Sequence, residues 1–185
     1  MTTKINTKII NLFAGPSKGK STTAAGLFYL MKIKGYNVEL IDEYAKQITW
    51  DDRPNILEDQ LYILAKQNRK IKRLIGKVHF VVTDSPIILG LNYMPKKYYK
   101  TFTPFVLDVW NSYDNRNFFL ENDGKLTYQK VGRNQTEKEA DVINDTIKKC
   151  LHNNKIRYTP IKIISNEVNP MINHVNSIFK HVEKE

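Results

Sequence analysis

Eight consecutive residues, Ala14-Gly15-Pro16-Ser17-Lys18-Gly19-Lys20-Ser21, combine two glycines, a proline, two lysines and two hydroxyls. They separate an apolar stretch, Lys8–Phe13, from residues 19–33, where Ala24, Leu27, Phe28 and Met31 recur at helical spacing. In a turn of this kind successive backbone N–H groups point inward and surround phosphate oxygens, and glycine tolerates the dihedrals required. The helix that follows presents its positive N-terminal end to the same anion. Lys20 is then expected to reach the β- and γ-phosphates, and the Ser21 hydroxyl to ligate Mg2+. Gly15, Pro16, Ser17, Lys18, Gly19, Lys20, Ser21 and Thr22 are accordingly the expected nucleotide-binding residues, for ATP or else GTP. Ala14 stands where such loops more often carry glycine. The competing reading, an ordinary strand–turn–helix, accounts for the glycines but not for the lysine and hydroxyl that follow.

Carboxylates in two further places could act on that phosphate. Asp84 follows the apolar run VHFVVT, at the C-terminal end of an expected strand. Ligands of open parallel sheets collect outside those ends. There Asp84 can hold the hydration shell of Mg2+ or a substrate hydroxyl; alternatively it makes a turn before Ser85-Pro86. Another expected strand, in YNVELI, runs into Asp42-Glu43-Tyr44-Ala45-Lys46. A carboxylate beside a γ-phosphate can accept the proton of an attacking hydroxyl. It repels an acceptor that already carries phosphate unless arginine compensates, and Arg53 is the nearest candidate in sequence. Asp42 and Glu43 therefore favour a hydroxyl on a neutral, nucleoside-like molecule. Which of the two is the base stays open, as does the reading that both merely solvate a loop.

These residues need elements to position them. Strands are expected at Lys8–Phe13, Val38–Ile41, Val78–Thr83, Asn117–Leu120 and Tyr158–Ile164. Helices are expected at 19–33, at 56–75 through Leu57, Leu61, Leu64, Asn68, Ile71 and Ile75, and at about 103–113. Two more are expected, one after the capping box Thr136-Glu137-Lys138-Glu139 and one at 169–182. The piece around Trp50 and Arg53-Pro54 reads as irregular, and Pro86, Pro95 and Pro104 break residues 86–104 into short pieces. Strands alternating with helices imply a parallel sheet covered on both faces. The polar stretch 121–135 contains Gly124, Gly132 and Arg133 and reads as a loop that closes over the transferring phosphoryl and excludes water. Arg133 is the arginine best placed to stabilise the transition-state charge, with Arg116 opening the preceding strand.

Composition narrows the class. With 185 residues, 41% hydrophobic, the chain can bury one sizeable core, so residues 1–185 read as a single domain. MTTKINTK lacks the apolar core of a signal peptide, no apolar run approaches a membrane span, and Cys150 is the only cysteine. A reducing cytoplasm is the expected compartment. The formal charge is +10 and lysine outnumbers arginine 23 to 6. That excess reflects compositional bias, a nucleic-acid surface or a basin for anionic nucleotides. Lys66, Arg69, Lys70, Arg73 and Lys77 share one helix face. His79, His152, His174 and His181 show no ligand spacing and read as structural or surface residues. Trp50 is either core or a stacking platform for substrate.

The order GPSKGKST, DEYAK, ILAKQ (Ile63–Gln67), TDSP and Gly132-Arg133 resembles small P-loop kinases related to ribosylnicotinamide kinase and thymidylate kinase, including phage-encoded members. The resemblance covers roughly residues 8–164. It implies an α/β, three-layer P-loop NTPase fold with about five parallel strands and helices on both faces. It also implies that Glu43 orients or deprotonates the acceptor, that Gln67 faces the substrate cleft and that Arg133 comes from a mobile lid. Lys46 stands where the family prefers arginine, and Asp84 is followed by Ser-Pro. Deoxynucleoside kinases are a weaker comparison, through Glu43, Trp50 and Gln60. Together these readings make Lys20, Glu43, Asp42, Asp84 and Arg133 the expected catalytic residues and Ser21 and Asp84 the metal ligands. Glu43, Tyr44, Trp50, Arg53, Gln67, Asp84 and Ser85 are the expected acceptor-binding residues.

The expected activity is ATP- and Mg2+-dependent phosphoryl transfer to a hydroxyl of a nucleoside- or nucleotide-like small molecule. Two alternatives remain: a kinase acting on a terminal or modified-base hydroxyl of DNA, and a nucleotide-binding module without catalysis. A monomer or homodimer in the cytoplasm, that of a host if phage-encoded, is expected, with no membrane partner.

Overall fold

A computed structural model describes residues 5–121, 137–162 and 170–184. Its architecture follows from strand β1 (Lys8–Phe13), in which every residue from Ile9 to Phe13 is buried. Side chains of a strand alternate between faces, so a strand buried throughout needs a helical layer on each side. One layer holds α1 (Lys20–Ile33) and α7 (Pro170–Val182), whose Leu27, Met31, Ile178 and Phe179 pack with Ile10, Leu12 and Val82. The other holds α4 (Gln60–Lys72), α5 (Phe102–Asn111) and α6 (Glu137–Asn153), whose Leu64, Ile71, Val106, Ile147 and Leu151 pack with Ile9, Phe13 and Val81. Each such side chain, fully buried, contributes about 1.5–3 kcal/mol. The sheet adds β2 (Val38–Ile41), β3 (Phe80–Thr83), β4 (Asp114–Glu121) and β5 (Thr159–Lys162) in the order β2-β3-β1-β4-β5, every pairing parallel.

Strands β1 and β2 have the expected bounds, and β3 begins two residues later than expected, at Phe80. The expected irregular piece is instead two short helices, α2 (Tyr44–Trp50) and α3 (Pro54–Leu57). Pro54 occupies the start of α3 and Asp59 caps α4 by accepting a hydrogen bond from Tyr62 N at 3.0 Å, which splits the expected 56–75 helix. The buried row of α4 is Gln60, Leu64, Gln67 and Ile71, and Leu61 is exposed. Two glutamines at inward positions concealed this phase in the sequence. Strand β4 begins at Asp114, three residues earlier than expected, because Asn11 of β1 donates from Nδ2 to Asn115 Oδ1 at 2.9 Å and Asn117 Oδ1 at 3.1 Å. The polar start of β4 is thus satisfied inside the sheet. The capping Thr136 and the end of the expected fifth strand, 163 and 164, lie outside the described residues. No helix among the described residues is long and apolar enough to cross a membrane.

His174 on α7 is fully buried, as a structural histidine should be, and burial pushes its imidazole below the ordinary value of 6.5. Above about pH 6.5 it is neutral in both folded and unfolded chains and adds no pH dependence. Below that value the unfolded chain takes up a proton that the folded chain refuses, so stability falls with acidification. In thermal melts between pH 7 and 5 the wild type should lose stability with a slope that His174→Gln reduces. Equal slopes would show that His174 is not the group being titrated.

Candidate active site

The register brings the ends of three strands level. Thr83 of β3 pairs with Ile41 of β2 on one side and Asn11 of β1 on the other. The chain leaves all three at the same edge, into 14–19 after β1, Asp42-Glu43 after β2 and Asp84 after β3. A cavity of about 570 Å3 opens there.

The turn after β1 has the shape its residues suggested. Ser17 (φ 58°) and Gly19 (φ 82°) take left-handed conformations, and Gly19 caps α1. Such alternation points consecutive N–H groups into one concavity, and a left-handed serine is a strained position of the kind found where a loop holds a ligand. Lys20 Nζ donates to the carbonyls of Ala14 and Gly15, both at 2.9 Å, bridging the start of the loop. Pro16, Ser17, Gly19, Lys20, Ser21 and Thr22 line the cavity.

Gly15 and Lys18, also expected on the nucleotide, are instead engaged by α6. Gly15 N donates to Asn144 Oδ1 at 2.8 Å, and Lys18 Nζ lies 2.7 Å from Asp141 Oδ1. A Cβ at Gly15 would come within 2.6 Å of the Ala140 carbonyl oxygen and 3.0 Å of Asn144 Cβ. The glycine is there because a helix backbone is seated on it. Gly15→Ala should therefore cost about 1–3 kcal/mol in a denaturant melt, the usual range for overpacking. A variant as stable as wild type would mean that α6 does not press on this loop.

The two neighbouring carboxylates part company. Asp42 is not among the lining residues, and its Oδ1 lies 2.8 Å from Lys70 Nζ and its Oδ2 2.7 Å from Gln47 Nε2. Desolvation would raise its pKa, but the hydrogen bonds from Lys70 and Gln47 outweigh it and hold Asp42 below the usual carboxylate value. A carboxylate held so is a weak base, and its expected catalytic role has no geometry to support it. Glu43 lines the cavity.

Asp84 lines it too, 7% exposed, and its Oδ1 has no hydrogen-bond partner among the described residues. Buried carboxylate oxygens are normally paired, so this one calls for a ligand. Ser21 lines the same cavity, and its hydroxyl and the Asp84 carboxylate are hard oxygen donors of the kind Mg2+ takes beside substrate phosphates and water.

Ser85 and Gln67 also line the cavity, though the Gln67 amide bonds the main chain on both sides of Glu43: Oε1 accepts from Tyr44 N at 3.1 Å and Nε2 donates to Asp42 O at 3.3 Å. Tyr44, Trp50 and Arg53 are not among the lining residues. Tyr44 places its hydroxyl 3.1 Å from that of Tyr62. Trp50 is 60% exposed, which rules out the core, and Arg53 points into solvent with Asp51 at 3.9 Å. The turn between α2 and α3 carries both away from the crevice. Arg133 and nearly all of the expected lid lie outside the described residues.

Thr49, Leu57, Glu58, Gln60, Ile63 and Tyr93 also line the cavity and were not among the expected site residues. Leu57 and Ile63 look like core residues in an amphipathic pattern. Buried Gln60, which donates to Leu57 O at 2.6 Å, was singled out in the sequence only through the weaker resemblance to deoxynucleoside kinases.

A parallel sheet in this order, with a phosphate-loop turn after its central strand, is the P-loop NTPase fold in its kinase-like form. The chain belongs to the AAA domain family AAA_28, whose model matches residues 9–167. Among solved structures it is similar to thymidylate kinase from Ehrlichia chaffeensis, with 17% identity, a TM-score of 0.65 and coverage of 96% of this chain and 99% of that one. NadR protein in complex with NAD and AMP-PNP gives a TM-score of 0.69 at 11% identity, over 96% of this chain and 50% of that one. Deoxyadenosine kinase from M. mycoides gives 0.53 at 17% identity, over 96% and 100%. At these identities the likeness is one of fold. No curated protein sequence matches the chain.

Proposed function

We propose that the chain is a phosphotransferase that moves the γ-phosphoryl group of ATP to a hydroxyl of an unphosphorylated, nucleoside-like small molecule. One observation carries the reading: a phosphate loop, an acidic residue at the end of β2 and, at the end of β3, a buried carboxylate with one oxygen unbonded among the described residues converge on one cavity. A module that only held nucleotide could use Asp84 for its metal ion but would have no use for a base at Glu43.

In this reading the N–H groups of residues 17–22 and Lys20 hold the triphosphate, and Ser21 and Asp84 hold Mg2+. The metal, when bound, neutralises charge on the β- and γ-oxygens. Glu43 accepts the acceptor's hydroxyl proton while the oxygen bonds to the γ-phosphorus and the bond from that phosphorus to the β–γ bridging oxygen breaks, releasing ADP. The charged residues lining the cavity, among those described, are Glu43, Glu58 and Asp84 against Lys20 and Lys46, and no arginine is among them. In a chain of net charge +10 this is an acidic interior. It suits a neutral acceptor and opposes one that brings its own phosphate.

Phosphorylation of nucleic acid is the second reading, favoured by the exposed Lys66, Arg69, Lys72 and Arg73 of α4 and by Lys66 Nζ 5.2 Å from the Tyr62 ring centroid. Incubation with γ-labelled ATP and a panel of nucleosides, nucleoside monophosphates and oligonucleotides tests both. Label on nucleosides alone is expected. Label on monophosphates would overturn the neutral-acceptor reading. Label on oligonucleotides, lost in Arg69→Gln/Arg73→Gln while ATP hydrolysis persists, would establish the second. ATP binding without transfer to any acceptor would make the chain a nucleotide-binding module.

A further inference from the structure

Gln67 occupies an inward position of α4 between Leu64 and Ile71, and is itself 3% exposed. An amide at such a place costs free energy unless its hydrogen-bonding capacity is used. Here both ends are used, and on the same target. Oε1 accepts from the N–H of Tyr44 and Nε2 donates to the carbonyl of Asp42, the main-chain groups immediately after and before Glu43.

Glu43 is the N-cap of α2, with extended backbone (φ −70°, ψ 119°), and its side chain makes no cap hydrogen bond. N-cap side chains ordinarily turn back to accept from the first N–H groups of their own helix. A carboxylate so employed would be drawn along its helix. In this protein the Glu43 side chain makes no such bond and lines the cavity, while the Gln67 amide, from another helix, satisfies the first N–H of α2. Lys70, one turn further along α4, reinforces the same turn by donating to Asp42 O at 3.3 Å and Asp42 Oδ1 at 2.8 Å.

We infer that Gln67 is a positioning residue: it fixes the backbone on both sides of Glu43 and so aims the Glu43 carboxylate at the acceptor hydroxyl, rather than reading the acceptor with its own amide. The inference rests on Glu43 being the proton acceptor proposed above.

Gln67→Met keeps the volume and removes both hydrogen bonds. It should lower kcat by about 10²-fold, the scale of a displacement near 1 Å at a reacting group, and change the acceptor KM by less than about threefold. In a Glu43→Gln background the same substitution should add less than about threefold, because both changes disable one device. Amide hydrogen exchange at Tyr44, which does not depend on activity, should accelerate in Gln67→Met. Gln67→Glu, which keeps the acceptor for Tyr44 N but loses the donor to Asp42 O, serves if the methionine variant fails to fold, and should keep the Tyr44 amide protected while kcat falls. A raised acceptor KM with kcat kept, or a full and independent loss in the Glu43→Gln background, would overturn the inference and make Gln67 a substrate-reading residue. Unchanged exchange at Tyr44 would overturn it as well. A wild-type kcat for Glu43→Gln alone would instead remove the proposed base, and with it the catalytic consequence of the clamp, whatever the exchange shows.

Discussion

Lys20→Ala should abolish phosphoryl transfer while the fold survives. The Lys20 ammonium bridges the Ala14 and Gly15 carbonyls beside the left-handed Ser17 and Gly19 turn, on the wall of the cavity where a triphosphate would lie. Its charge acts most strongly when the γ-phosphoryl is in flight, because negative charge then gathers on the oxygens nearest it. Removing one such preorganised donor typically costs about 2.7–4 kcal/mol, or 10²–10³-fold in kcat. The two carbonyls it bridges lie at the entrance of the loop, so the sheet should be unaffected and far-UV circular dichroism should match wild type. Lys20→Met, which keeps the alkyl stem, should be as inactive as the alanine variant and guards against a purely steric explanation. Turnover within tenfold of wild type, with the fold intact, would sink the phosphate-loop assignment.

Glu43→Gln should lower kcat by roughly 10²–10⁴-fold, the range for a general base, with little change in nucleotide affinity. The amide preserves shape and hydrogen bonding but cannot take a proton. Asp42→Asn is the informative partner. Asp42 is bound by Lys70 and Gln47 outside the cavity, and exposed ion pairs are worth at most about 1 kcal/mol, so its activity should stay within about fivefold of wild type. An inactive Asp42→Asn beside an active Glu43→Gln would reverse the roles. Two active variants would show that neither carboxylate is the proton acceptor and would remove Glu43 from the proposed mechanism.

Much of this was legible along the chain. The bounds of β1 and β2 and the phosphate loop between β1 and α1 are written locally, in apolar runs, turn residues and helical spacing that involve neighbours only. The alternation of strands and helices was enough for a parallel sheet between two helical layers, because a strand buried on both faces leaves no other arrangement. What the sequence could not rank were polar residues of equal chemical promise. Asp42 and Glu43 are adjacent and chemically alike. What separates them in the fold is that Asp42 pairs with Lys70 while Glu43 lines the cavity, with the Gln67 amide bonded to the main chain on both sides of it. Trp50 and Arg53 look as fit for a substrate as Gln60 does, yet a turn between two short helices carries the first pair outward while the α4 backbone brings Gln60 in. Gly15 reads as a phosphate-loop glycine in sequence, and in the fold it is the floor on which Asn144 and Ala140 rest. Periodicity encodes which face of an element can bury apolar area, though two inward glutamines hid that face in α4. Hydrogen bonds between residues far apart in the chain leave no periodic trace, and only the tertiary structure decided which carboxylates and glutamines line the cavity and which glycine lies under α6.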